Sequence, residues 1–142
     1  MGSGTGPTLN QAPDHPTLVP DAGGVSRLAE RSRSAAALLI TLRGAGLWPP
    51  LVPSAVLVES LTGHVGRDDS PSRLHKGCDV VAELPERLAR RAAALRYQAQ
   101  RGSAVDAIVV ATADPVGTVL TSDLKDLPAL ADQARDVVIT RV

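Results

Sequence analysis

Apolar and polar residues follow one another in blocks that predict strands and helices in turn. Short runs rich in Val and Leu are typical of buried strands, and longer runs with apolar residues three or four positions apart are typical of helices. Five short runs are predicted strands, and they lie at 17–20, 49–54, 78–84, 116–122 and 136–142. Strands that alternate with helices favour a mostly parallel sheet covered by helices on both faces. The pattern therefore predicts an α/β fold with five strands.

The segments between these strands carry helical signals. The predicted helices cover 24–46, 54–63, a short stretch after Ser70, 85–102, 103–113 and 123–131. A break near Ser32 would divide the first of them into two helices. The helix over 103–113 is apolar on nearly every side, so we expect it to be buried.

The length of 142 residues fits one domain with one core. Residues 1–16 are rich in Gly and Pro without apolar periodicity, which predicts a flexible leader before a domain at 17–142. No window reaches the roughly 18 apolar residues of a membrane span, and the start of the chain does not have the pattern of a secretory signal. The single cysteine, Cys78, excludes a disulfide framework and a Cys-rich zinc site. These features favour a reducing, cytoplasmic setting.

Charge and aromatic content narrow the function classes. The formal net charge is zero, with 15 basic and 15 acidic residues, so no global field attracts nucleic acid or membrane. One Trp, one Tyr and no Phe disfavour binding of single strands by stacking. Arginine, which pairs well with phosphate, dominates the basic residues. Candidates for holding phosphates, with a solvated charged face as the alternative, are Arg27, Arg31, Arg33, Arg67, Arg73 and Lys76.

Four acidic residues stand where a site would form in such a fold. Asp21 and Asp123 follow the first and fourth predicted strands. Asp106 lies in the first turn of the buried helix, and Glu59 interrupts the apolar run AVLVESL. Because sites form beyond the carboxyl ends of parallel strands, we expect these acids to converge on one rim.

Each acid also has a simpler interpretation. Asp106 stands three residues after Ser103, the spacing of a capping box. Asp21 and Asp123 are suited to helix N-caps, and Asp126 to the first turn. Glu59 falls too far inside its helix to be a cap, and its alternative is an exposed residue at the helix edge. Convergence of all four favours a metal site instead, because crowded carboxylates repel and Mg²⁺ or Mn²⁺ relieves that repulsion. Such a cation can activate water and neutralise a phosphoryl transition state.

Four motifs together resemble the PIN-domain ribonucleases, especially the VapC-type toxins of bacterial toxin–antitoxin pairs. They are VPDAGG at 19–24, VPSAVLVES at 52–60, SAVDAIVVATA at 103–113 and VLTSDLKDL at 119–127. The resemblance implies a three-layer α/β/α sandwich with a central five-stranded parallel sheet. It also implies an endoribonuclease dependent on Mg²⁺ or Mn²⁺. The catalytic and metal-binding residues carried over from the motifs are Asp21, Glu59, Asp106 and Asp123, with Asp126 as a further metal ligand and Thr121 and Ser122 as hydroxyls at the rim.

The same resemblance implies partners. These are an RNA substrate, a cognate antitoxin protein that covers the acidic groove, and a second copy of the chain in a homodimer. Ala- and Leu-rich helices at 28–42 would offer an apolar groove to an amphipathic partner helix. Two positions depart from the family pattern: Pro20 precedes the first Asp, and Gly23 stands where many relatives carry Ser.

Two other functions fit parts of this pattern. A phosphoacceptor receiver domain needs an acidic pair after its first strand, whereas this chain has Asp21 alone. A non-catalytic PIN-like module would bind RNA or a protein without cleavage. The four acids disfavour that second alternative, because a surface that binds RNA gains affinity from positive charge.

We expect no functional role for the histidines, the cysteine or the tryptophan. The histidines are not at the spacing of metal ligands, so we expect surface residues at His15, His64 and His75. Cys78 is expected to be a small buried hydrophobe, and Trp48 a packing residue at the domain edge.

Overall fold

The computed structural model describes residues 16–142. Within this range the chain is a mixed α/β structure with seven helices and five strands. Its elements are β1 Leu18–Pro20, α1 Ala22–Ala29, α2 Arg33–Gly44, β2 Leu51–Pro53, α3 Ser54–Ser60, α4 Asp69–Lys76, β3 Asp79–Val81, α5 Glu86–Ala99, α6 Ala104–Ala113, β4 Thr118–Thr121, α7 Leu127–Ala131 and β5 Val138–Arg141. The predicted leader at 1–16 lies, apart from Pro16, outside the described residues.

The five strands form two parallel sheets, so the prediction of a single five-stranded sheet is wrong. One sheet has the order β1-β4-β5, and the other pairs β2 with β3. In the first sheet Val19 lies opposite Val119, which lies opposite Ile139. Strands β1 and β2 contact each other but share no hydrogen-bonded ladder.

Prolines on the two facing edges explain the missing ladder. The backbone N–H of Asp21 donates to Leu120 of β4, so the alternate residue Pro20 faces β2. Likewise, the carbonyl of Pro50 accepts from the N–H of Asp79, the first residue of β3, so Pro53 faces β1. Proline has no N–H to donate, and each facing edge therefore lacks a donor that a shared ladder would need.

The helix boundaries follow local capping rules in most places. Ser32 accepts a hydrogen bond from the N–H of Ala35 and begins α2, which confirms the predicted break in the first helical segment. Asp21 caps α1 in the same manner. The last predicted helix begins later than expected, because 123–126 form a turn before α7. Asp126, rather than Asp123, occupies the N-cap position of α7.

Alternating strand residues supply two apolar clusters on the two faces of the larger sheet. Val19 and Val119 pack with α6, α5 and α7 in one cluster. Leu18 and Leu120 pack with Leu28 of α1 in the other. Helix α6 is buried as predicted, with Ala107, Val109, Val110, Ala111 and Ala113 in the core. The larger sheet therefore lies between helices.

None of the helices between residues 16 and 142 combines the length and the apolar character that crossing a membrane requires.

Candidate functional site

Asp21 is the centre of the candidate site at the carboxyl end of β1. Its Oδ1 accepts a hydrogen bond of 2.7 Å from the backbone N–H of Gly24. Its Oδ2 accepts a second one, of 2.6 Å, from the hydroxyl of Thr121 at the end of β4. The carboxylate is half-buried and held by two different elements, so its orientation is fixed.

Two glycines let the first turn of α1 approach β4. A Cβ added at Gly24 would overlap the backbone carbonyl of Leu120, which cannot move away without breaking the sheet. A Cβ at Gly23 would overlap the Oγ of Ser122, which is the movable end of a side chain. The side chain of Ser122, just after β4, therefore occupies the space beside Gly23.

Thr121 connects Asp21 to Asp123. Its side chain is fully buried, and its Oγ1 accepts a 3.0 Å hydrogen bond from the N–H of Asp123 while donating to Asp21. Asp123 is exposed, and its Oδ1 accepts from the N–H of Lys125 at 3.0 Å. This local turn, rather than the predicted helix cap, orients the Asp123 carboxylate.

Asp106 enters the site from the N-terminal turn of α6. The predicted capping box is confirmed: the N–H of Asp106 donates to Ser103 Oγ at 3.0 Å, and the N–H of Ser103 donates to Asp106 Oδ2 at 3.3 Å. The Asp106 carboxylate is half-buried, and its position is set by the helix that it caps.

The pKa of Asp21 responds to its burial, to two hydrogen bonds and to the charges of two other aspartates. Burial is the largest cause and raises this pKa above its ordinary value of 3.8. The hydrogen bonds from Thr121 and Gly24 lower it, because they stabilise the ionised form. The negative charges of Asp106 and Asp123 raise it again. Both residues therefore lie within electrostatic range of Asp21, and the net effect favours a proton or a cation at this point.

The other two predicted ligands have no such link to Asp21. Glu59 is exposed on α3, and within residues 16–142 it makes no hydrogen bond or ion pair. Asp126 is half-buried at the start of α7 without a capping hydrogen bond from its side chain. In the described part of the chain, no three Asp, Glu, His or Cys side chains are grouped closely enough to hold a metal ion as they stand.

The donor chemistry at Asp21 nevertheless suits a hard divalent cation. Carboxylate oxygens are the ligands that Mg²⁺ and Mn²⁺ prefer, and Mg²⁺ keeps several waters of its own. Each oxygen of Asp21 accepts one hydrogen bond and retains further acceptor capacity.

The predicted phosphate-binding residues fall into two groups. Arg27 pairs with Glu30 and also contacts Ser34, while Arg31 and Arg73 both pair with Asp69, at 2.9 and 3.2 Å. Arg33, Arg67 and Lys76 make no ion pair with residues 16–142. The second group is thus the one whose positive charge is available to a ligand.

His75 differs from the expected surface residue. It is half-buried, with Nε2 3.3 Å from Ser60 Oγ and a buried Nδ1 that has no hydrogen-bond partner among the described residues. Burial lowers its pKa below the ordinary value. His64 is exposed as expected, whereas His15 lies outside the described residues.

Cys78 and Trp48 take structural roles. The thiol of Cys78 donates to the Leu74 carbonyl at 3.3 Å, and burial raises its pKa to about 11, so it is a poor nucleophile. Trp48 packs against the second apolar cluster, with the Arg43 guanidinium 5.2 Å from its ring centroid. This confirms the expected packing role of Trp48.

A second polar cluster was not predicted. A pocket near the amino ends of β4 and β5 is lined by four charged residues, Arg87, Arg91, Asp114 and Arg135. The only sequence signals were two arginines four positions apart on a helix and an Asp-Pro pair at 114–115, and neither specifies a site by itself.

No protein-family model matches this chain, and no curated protein sequence matches it. The resemblance of its four motifs to PIN-domain ribonucleases therefore stays a prediction.

Proposed function

We propose that this chain is an endoribonuclease that depends on Mg²⁺ or Mn²⁺ and hydrolyses RNA phosphodiester bonds, as a PIN-domain toxin of the VapC type with a three-layer α/β/α arrangement. The observation that carries the proposal is the half-buried Asp21, whose pKa is raised by burial and by the charges of Asp106 and Asp123. Three carboxylates from distant parts of the chain act on one point at the carboxyl edge of the sheet. A divalent cation is the ligand that relieves their repulsion.

The protein's own residues would bind and orient. Asp21, Asp106 and Asp123 would hold the cation, while Thr121 and Gly24 keep the Asp21 carboxylate in one orientation. The bound cation would supply positive charge for the phosphoryl group and lower the pKa of water. The unpaired Arg33, Arg67 and Lys76 would contact flanking phosphates of the RNA.

Glu59 and Asp126 belong to the proposal as outer ligands. Because Glu59 is exposed and does not act on the pKa of Asp21, we expect Glu59→Gln to reduce activity less than Asn at Asp21, Asp106 or Asp123. An equal loss for Glu59→Gln would show that α3 moves toward the three aspartates when the cation binds.

The test is an RNA cleavage assay with Mn²⁺ or Mg²⁺, in which wild type is compared with Asp21→Asn, Asp106→Asn and Asp123→Asn. We expect each variant to lose at least about 100-fold in rate and EDTA to abolish cleavage. Asp132→Asn is the matched control, because Asp132 is an exposed aspartate at the end of α7. It should cleave as wild type does.

Equal cleavage by wild type, the site variants and the EDTA-treated protein would reveal a contaminating nuclease and refute the proposal. Melting curves give a readout that is independent of activity. Mn²⁺ should raise the melting temperature of wild type and of Asp132→Asn, because it binds the folded protein, and should have little effect on Asp21→Asn.

The proposal includes a cognate antitoxin and a homodimer as partners. Helix α2 supports a partner surface, because Ile40 is 72% exposed and the neighbouring Ala36 and Ala37 are exposed as well. Expression together with the adjacent reading frame of its operon should yield a stable complex in which RNA cleavage is suppressed. Isolation of a stable, non-toxic monomer that binds no such product would contradict this part of the proposal.

The second candidate is a non-catalytic PIN-like module that binds RNA or a protein. It is favoured by one observation: both oxygens of Asp21 already accept hydrogen bonds from within the fold. RNA binding without cleavage, together with melting temperatures that do not respond to Mn²⁺, would support this candidate over the nuclease.

A further inference from the structure

A pocket of about 370 Å³ lies at the opposite edge of the sheet from Asp21. Asp114, Pro115 and Arg135 belong to the loops that lead into the amino ends of β4 and β5. Because Asp21 follows the carboxyl end of the parallel strand β1, the two sites lie at opposite ends of the same sheet. The pocket is lined by Arg87, Leu88, Arg91, Ala111, Asp114, Pro115 and Arg135.

Asp114 is the buried support of this pocket. Its side chain is only 9% exposed, and its Oδ2 accepts a hydrogen bond of 2.8 Å from Arg91 Nε. Its Oδ1 accepts from the backbone N–H of Arg135 at 3.1 Å. Both carboxylate oxygens are therefore engaged, and the negative charge is neutralised by Arg91.

Arg91 is fixed before any ligand arrives. Besides its bond to Asp114, its Nη2 donates to the backbone carbonyl of Gln133 at 3.2 Å. Its Nη1 makes no hydrogen bond with residues 16–142, so this end of the guanidinium can bind a ligand. An arginine held at two points loses little entropy when it binds an anion.

Arg87 and Arg135 leave the pocket with uncompensated positive charge. Neither side chain forms an ion pair within the described part of the chain. The pocket thus has three guanidinium groups and one carboxylate, which pairs with Arg91 alone, and an anion would offset the remaining positive charge. Arginine side chains that line one pocket favour phosphate, because its oxygens accept charge-assisted hydrogen bonds from guanidinium groups, and an open fork can donate two of them in parallel.

The geometry points to a binding site for a small organic phosphate, which we propose as a second ligand site of this protein. The three arginines would bind the phosphate, and Leu88, Ala111 and Pro115 would contact the apolar part of the ligand. The pocket volume falls within the range of about 300–1,000 Å³ that is typical of small-molecule sites. A concave pocket of this size suits a compact ligand better than an extended RNA backbone. This inference does not depend on the proposed nuclease activity.

The test is calorimetric titration of the full chain with adenosine 5′-monophosphate, inorganic phosphate and adenosine. EDTA is present, so that no cation at Asp21 can bind phosphate. We expect both phosphates to bind and adenosine not to bind. Arg87→Gln and Arg135→Gln should each weaken binding roughly tenfold, because each removes a charge-assisted hydrogen-bonding group.

Arg90→Gln is the matched control. Arg90 lies on the same helix and pairs with Glu86 at 2.7 Å, outside the pocket lining. It should bind the phosphates as wild type does. Arg135→Lys should recover part of the loss in Arg135→Gln, because it restores the charge without the fork. Circular dichroism checks that each variant is folded. The fold should tolerate Arg87→Gln, because the Arg87 side chain is exposed.

Three results would overturn the proposal. The first is no heat of binding from adenosine 5′-monophosphate or phosphate at up to about 1 mM. The second is an equal loss of affinity in Arg90→Gln, which would indicate nonspecific attraction to helix α5. The third is binding of a single-stranded RNA that depends on Arg87 and Arg135 while the small phosphates do not bind, which would assign the pocket to nucleic acid.

Discussion

The Asp21 carboxylate is held in a place that disfavours its charge. Burial and two neighbouring acids raise its pKa, while two hydrogen bonds oppose that shift without cancelling it. A group whose pKa is higher in the folded than in the unfolded state binds more protons when folded. Its contribution to stability therefore falls as pH rises from 3.8 through the raised value. At neutral pH, the ionised Asp21 is a source of instability.

Asp21→Asn should therefore raise the melting temperature at pH 7 in the presence of EDTA, although it should abolish the proposed nuclease activity. The asparagine can keep both contacts, because Thr121 can accept from its amide and turn its own proton toward the Asp123 carbonyl, 3.0 Å away. Below pH 3.8, where the wild-type group is protonated in both states, the gain should disappear. Thermal melts across this range measure both effects. A lower melting temperature for Asp21→Asn at pH 7 would contradict this account of the site.

Among the elements, α6 begins with a stabilising cap that includes a residue of the candidate site. Ser103 and Asp106 satisfy each other's backbone N–H groups, and Asp106 also acts on the pKa of Asp21. A change at Ser103 affects the cap alone, whereas a change at Asp106 affects the cap and the candidate site.

Ser103→Ala should lower the free energy of unfolding by about 1 kcal/mol, because one N–H at the start of α6 loses its acceptor. RNA cleavage at a temperature where the variant is folded should be close to that of wild type. Urea unfolding and the cleavage assay measure the two effects separately. If Ser103→Ala loses as much activity as Asp106→Asn, then the cap, and not the charge of Asp106, is what the site requires.

Across the whole molecule, the ion pair of Arg91 and Asp114 joins segments far apart in sequence. It connects α5 to the end of α6, and further hydrogen bonds reach Gln133 and Arg135 before β5. Asp114 is nearly buried, so its removal leaves two donors, Arg91 Nε and the N–H of Arg135, without this partner.

Asp114→Ala should therefore destabilise the fold by about 2–3 kcal/mol. The control is Glu86→Ala, which removes an ion pair on the same helix whose two side chains are both 79% exposed, and it should have little effect. Urea unfolding of the two variants gives the comparison. Equal stability of Asp114→Ala and Glu86→Ala would mean that the pair does not hold these segments together.

The sequence by itself determined the features that depend on neighbouring residues. The five strands, the break before α2 and the capping box at Ser103 follow from apolar periodicity and from side-chain hydrogen bonds within three residues, which are short-range effects. One topological rule, that the carboxyl ends of parallel strands share an edge, predicts that Asp21 and Asp123 lie near each other, and the charge of Asp123 does act on the pKa of Asp21.

Only the tertiary structure decided what depends on distant segments meeting. Pro20 lies on the edge that faces β2, and Pro53 on the edge that faces β1, only once both strands have their partners, and the predicted single sheet is then divided in two. Glu59 reaches solvent and His75 becomes half-buried according to how α3 and α4 pack. The pocket near the amino ends of β4 and β5 depends on Asp114, which accepts hydrogen bonds from Arg91 and from the backbone of Arg135. Each of these residues is more than twenty positions from Asp114 in sequence. Local propensity carries no information about such contacts, since their free energy arises only when the packed fold brings the groups within reach.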